Sequence, residues 1–83
     1  MNFIAEVDIM PHQELLDPQG KTVAKNMKNL HLDGVEDVRI GKHVTLKLTA
    51  ASEAEARQMV ETACQKLLAN VIMENFTYEL KEA

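Results

Sequence analysis

Val35-Glu36-Asp37-Val38-Arg39-Ile40, followed at once by Gly41-Lys42 and then His43-Val44-Thr45-Leu46-Lys47-Leu48, is the stretch whose reading decides the fold. Val35 to Ile40 reads as the second strand, with Val38 and Ile40 on one face. Glycine at the first central position of Gly41-Lys42 allows a type II′ turn. Beyond it Val44, Leu46 and Leu48 alternate with His43, Thr45 and Lys47, the pattern of a strand with one apolar face. Together they predict a β-hairpin.

On the N-terminal side, Phe3, Ala5, Val7 and Ile9 alternate with Ile4, Glu6, Asp8 and Met10, which gives a strand that Pro11 ends. A helix is expected from Pro18 to Leu30. Asp17 can cap its free N–H groups, and Pro18 fits the first turn, where its missing N–H costs nothing. Its apolar stripe is Val23, Met27 and Leu30, and Asp33-Gly34 is a turn signal. On the C-terminal side Ser52 and Glu55 form a capping box. A second helix follows with Ala56, Met59, Val60, Ala63, Cys64, Leu67 and Leu68 on one face, and Asn70 can close it in a left-handed conformation. Phe76, Tyr78 and Leu80 alternate as a last strand.

The order is β-α-β-β-α-β in a single domain, residues 1–83. With right-handed crossovers this predicts an α+β fold, a two-layer ferredoxin-like sandwich with two helices on one face of a four-stranded antiparallel sheet. The open face would carry Ile4, Glu6, Asp8, Met10, Thr45, Lys47, Thr77 and Glu79. Leu16, Leu32 and Val71-Ile72-Met73 are not needed by such a core. Surplus apolar surface on so small a chain points to self-association.

Eighty-three residues lie near the lower limit for a self-sufficient core, and the hydrophobic fraction of 46% is that of a globular protein. No apolar run approaches the ~20 residues that span a bilayer. The N-terminal segment lacks the basic region of a signal peptide, and one cysteine makes no internal disulfide, so a cytoplasmic location is expected. A formal net charge of −4 with nine scattered Lys and Arg disfavours nucleic acid and anionic membranes as partners.

No catalytic constellation emerges. Cys64 lies on the apolar stripe between Val60 and Leu68 and reads as core rather than nucleophile. His12, His31 and His43 are far apart, and without a second cysteine or a helical His pair no metal site is expected. Gly20, Gly34 and Gly41 are isolated, so no phosphate loop is formed. Glu6 with Asp8, and Glu36 with Asp37, read as carboxylates on solvated backbone. Arg39, Lys42 and His43 could hold a phosphate or carboxylate at the hairpin, against a plain solvated hairpin. The aromatics Phe3, Phe76 and Tyr78 fall on the helix-covered face, which disfavours an RNA-stacking sheet.

Gly20 breaks a local rule. A glycine in a first helical turn sacrifices roughly 1 kcal/mol of propensity. It leaves a bare backbone that another chain can approach closely. Arg39 and Lys42 place charge where no internal partner is predicted. Asp17, Pro18, Gln19, Gly20 and Lys21, together with Arg39, Gly41, Lys42 and His43, are therefore the expected contact sites for partner subunits.

Leu16-Asp17-Pro18-Gln19-Gly20, the run Val35 to Lys42, Cys64-Gln65-Lys66-Leu67-Leu68-Ala69-Asn70 and Glu74-Asn75-Phe76-Thr77-Tyr78-Glu79 occur in order across nearly the whole chain. As a set they resemble the PurS family, small subunits of phosphoribosylformylglycinamidine synthase. The resemblance implies a non-catalytic bridging subunit of a cytoplasmic ligase complex in purine biosynthesis, which uses ATP and glutamine-derived ammonia. It implies a homodimer or higher oligomer. It also implies two further partners, a large PurL-like synthetase subunit that binds ATP and Mg, and a PurQ-like glutaminase subunit that carries the catalytic cysteine. No cofactor is expected on this chain. Two other classes stay open: a regulatory ligand-binding domain of ferredoxin-like fold acting as a dimer, and a small enzyme of acylphosphatase type. The first needs a polar ligand cluster and the second a glycine-rich loop with an arginine near the first strand, and neither is evident.

Overall fold

A computed structural model of the chain describes residues 1–13 and 15–83. β1 (Asn2–Pro11) is followed by α1 (Pro18–Asn29), β2 (Lys42–Thr49), α2 (Glu53–Ala63) with a π-helical extension over Cys64–Leu68, and β3 (Glu74–Glu82). Among the described residues the sheet has three strands in the order β2-β1-β3, antiparallel throughout. The alternation read in β1 fixes its two faces. Phe3, Ala5, Val7 and Ile9 are buried, and Ile4, Glu6, Asp8 and Met10 lie on the other side. Val44, Leu46 and Leu48 of β2 and Phe76, Tyr78 and Leu80 of β3 flank the buried row, and Ala56 and Val60 of α2 with Cys64 of its π-helical extension close over it. Complete burial of a side chain such as Ile9 or Val60 contributes about 1.5–3 kcal/mol.

The four-stranded sheet of a ferredoxin-like sandwich is not what forms. Residues 35–40 belong to no strand, and no glycine has the positive φ that a type II′ turn over Gly41-Lys42 requires. The segment turns to α1 instead of to the edge of β2. The Ile40 N–H donates to Asp17 Oδ2 at 2.8 Å, a bond that takes a donor a strand would have used in its ladder.

Nor do two helices cover one face. Among the described residues α2 packs on the sheet, while α1 contributes nothing to either core cluster. The molecule measures 52 × 26 × 14 Å, with a radius of gyration of 16.4 Å. A compact chain of this length would have about 12 Å. Val23 and Met27 on α1 are half-buried and Leu30 is exposed.

Both N-caps form as signalled, although Glu55 Oε2 accepts from the Ala51 N–H and not from that of Ser52, so the capping box is met only in its Ser52 half. Asp17 accepts from the Gly20 N–H at 2.9 Å, and Ser52 Oγ accepts from the Glu55 N–H at 3.2 Å. α1 ends where expected, at Asn29 with Leu30 as its C-cap, while the close of the second helix departs from expectation. α1 closes with a Schellman motif in which His31 takes φ 64° and the Leu32 N–H reaches the Met27 carbonyl at 3.0 Å. Asn70 is not left-handed; its side chain accepts from the Ile72 N–H, an Asx turn. At Cys64 the helix widens, and the Ala69 N–H bonds the Cys64 carbonyl five residues back at 2.9 Å. The extra residue turns Leu67 out to 82% exposure and brings Ala69 into the core. Met59, also expected on the stripe, is exposed.

Candidate subunit-contact site

The two segments singled out in the sequence meet at the start of α1. Asp17 is the hinge of the arrangement. One carboxylate oxygen caps Gly20 and the other accepts from Ile40, so a single side chain ties the helix N-terminus to the connector 30–41. The hydrogen bonds from Gly20 and Ile40, with Arg39 nearby, hold the Asp17 carboxyl below the usual carboxylate range.

Arg39 supplies the second tie. Its Nη2 donates to the carbonyls of His12 (2.7 Å) and Pro11 (3.3 Å), and its Nη1 to those of Leu15 (3.2 Å) and Gln13 (3.4 Å). The guanidinium thereby gathers the connection between β1 and α1 around one planar fork. This corrects the expectation that Arg39 lacks an internal partner.

Gly20 is corrected in the same way. A Cβ at this buried position would collide with the Val38 carbonyl oxygen. The close approach that the bare backbone permits is made by the chain's own connector. Gly41 serves a similar end, since a Cβ there would strike the Ile9 carbonyl oxygen and Met10 Sδ.

Asp17, Gly20, Arg39 and Gly41 are therefore brought together with internal tasks. Pro18, Gln19 and Lys21 stand exposed on the first turn beside them, and Lys42 is exposed where β2 begins. Pro18, Gln19, Thr22, Val23 and Ile40 line an apolar hollow along this edge of α1.

His43 does not join this group. It lies on the open face of the sheet, with Nδ1 2.6 Å from Asp8 Oδ1 and Nε2 2.5 Å from Glu6 Oε2. Thr45 Oγ1 donates to the same Glu6 oxygen at 2.8 Å. The sequence reading placed Glu6, Asp8 and Thr45 on this face, grouped His43 with Arg39 and Lys42 at the hairpin, and left Glu6 and Asp8 as plain solvated carboxylates. The missing step was strand register, which sets His43 opposite Asp8 and Thr45 opposite Glu6.

Cys64 is buried, as read, and burial pushes its thiol above the ordinary range, which suits a core side chain and not a nucleophile. Among the described residues no helix is long and apolar enough to cross a membrane.

A family profile described as phosphoribosylformylglycinamidine (FGAM) synthase, PurS, matches residues 4–82. The phosphoribosylformylglycinamidine synthase subunit PurS of Synechocystis is 46% identical over 66 residues, 80% of this chain and 66% of that protein, so the match spans just under two thirds of that relative. A crystal structure of Bacillus subtilis PurS superposes with a TM-score of 0.85 at 34% identity, covering 96% of this chain and 99% of that one. A chain in the structure of PurLQS from Thermotoga maritima superposes with a TM-score of 0.85 at 28% identity, covering 100% of this chain and 99% of that one.

Proposed function

The chain belongs to the PurS family of phosphoribosylformylglycinamidine synthase subunits, and on that premise we propose that it is the non-catalytic bridging subunit of such a synthase. It serves an ATP- and glutamine-dependent ligase complex of purine biosynthesis in the cytoplasm. A PurL-like subunit holds ATP and magnesium, a PurQ-like subunit hydrolyses glutamine, and this chain supports their assembly and the passage of ammonia between them. The PurLQS structure that contains a similar chain supports these partners. Ammonia that leaks into bulk water is protonated and lost to the reaction, so a chemistry divided between two subunits needs a sealed junction.

One observation carries the reading: α1 projects from the sheet with its apolar side short of cover. A helix that leaves its own core is completed by another surface. We assign that surface first to a second copy of the chain. The exposed Pro18, Gln19, Lys21 and Lys42 form the contact with a partner subunit, held in place from behind by Asp17, Gly20, Arg39 and Gly41. His43, paired with Asp8 and Glu6 on the open sheet face, is left out of this contact.

Reconstitution tests this. PurL-like and PurQ-like subunits are assayed with glutamine or with ammonium salt as nitrogen source, with and without this chain. Glutamine-dependent product should need the chain, while ammonia-dependent product persists without it. Equal glutamine-dependent rates in its absence would overturn the assignment.

A further inference from the structure

We propose that His43 is a proton-operated pin across the β1–β2 edge of the open sheet face, closed when its ring is charged and released when it is neutral. The geometry demands the charged form. Asp8 and Glu6 are acceptor-only carboxylates, and each faces one ring nitrogen. Only the imidazolium donates from both nitrogens at once. Loss of the proton leaves a lone pair against a carboxylate oxygen and breaks one of the two ties.

The neighbours make the state of the ring matter. Among the described residues no helix packs on this face. From β1 it presents Glu6 and Asp8, from β3 Glu79 and Lys81, and from β2 Lys47 beside His43 and Thr45. With His43 charged, three carboxylates meet three cations and the face is neutral. With His43 neutral the face carries one net negative charge. The position along the strand matters too. Asp8 opposite His43 is the next-to-last pairing before β2 gives way to the unpaired connector. The pin thus closes the end of the ladder most prone to fray.

The sign follows from the same contacts. Hydrogen bonds from the ring to Asp8 and then Glu6 raise the histidine above its ordinary range. The stabilisation is therefore complete below the unfolded value of about 6.5 and is lost as pH rises through the folded one.

The test is an NMR titration of the His43 ring nitrogens on the full chain, with amide hydrogen exchange recorded over the same pH range. Protection factors at Lys42 to Thr45 should fall about two- to fivefold through the His43 titration, the span typical of an exposed ion pair. Amides that join β1 to β3 serve as the internal reference and should hold. Asp8→Asn and Glu6→Gln should each lower the His43 midpoint, and His43→Gln should show the released protection at every pH. A midpoint at or below the ordinary histidine value, protection that does not change through the titration, or full protection in His43→Gln would each overturn the pin.

Discussion

The Val38 carbonyl oxygen occupies the space into which a side chain on Gly20 would grow. That contact sets two local preferences against each other. Alanine favours a helix over glycine by about 1 kcal/mol. A Cβ wedged against a backbone carbonyl, with Asp17 Oδ2 also only 2.8 Å away, forces the connector off α1. Such overpacking costs about 1–3 kcal/mol. Gly20→Ala should therefore be destabilised by up to about 2 kcal/mol in urea unfolding. Gly34→Ala is the control, because nothing lies within 4 Å of its Cβ position, and it should stay within about 0.5 kcal/mol of wild type. Equal stability of Gly20→Ala and wild type would show that the connector yields freely.

Arg39→Lys should loosen the loop between β1 and α1. A guanidinium reaches four carbonyls with one rigid fork, and an ammonium on a flexible stem cannot reproduce that set. The expected loss is about 1–2 kcal/mol. Its acceptors are neutral carbonyls, so the loss should change little between low and high salt. Unfolding at two ionic strengths checks this. A loss that disappears in high salt would mean that Arg39 acts through charges and not through these carbonyls.

Much of the fold was legible because much of it is local. The alternation of Phe3, Ala5, Val7 and Ile9 gave the buried face of β1, and Asp17 and Ser52 gave both helix starts. The errors arose where a distant group took a backbone partner. Residues 35–40 are apolar enough to be a strand, but the Ile40 N–H belongs to Asp17, twenty-three residues earlier. Leu67 has a core side chain at a core spacing, and one π-helical turn moves it to solvent. Gly20 and Arg39 were read as free for contact with another chain, and both have partners inside this one. Gly20 does mark a close approach, but the approaching chain is its own.

Acid should loosen the tie that Asp17 makes between the start of α1 and the connector 30–41. Its carboxyl titrates below its ordinary value of about 3.8 because the charged form accepts from Gly20 and Ile40. A lowered folded value means that the stabilisation is full above the unfolded value and is lost as pH falls through the folded one. The Tm difference between wild type and Asp17→Asn should therefore be largest near neutral pH and shrink below about pH 4. A difference that stays constant down to strong acid would show that Asp17 contributes shape and not charge.

The last expectation concerns α1 itself. Its half-buried Val23 and Met27 lie on a helix that adds nothing to the core around Val7, Ile9 and Val60. A charge placed there should leave the sheet intact, yet it should be costly wherever another surface seats the helix, since an unpaired charge is expelled from an apolar contact. Wild-type protein at micromolar concentration should show by light scattering a mass of at least two 9.3 kDa chains. Met27→Asp should shift the mass toward a single chain and keep the strand signature in circular dichroism. The two failures are distinct. A wild-type mass of one chain throughout would mean that α1 finds no second copy. A Met27→Asp variant that loses its strand signal would mean that α1 is seated on its own sheet after all.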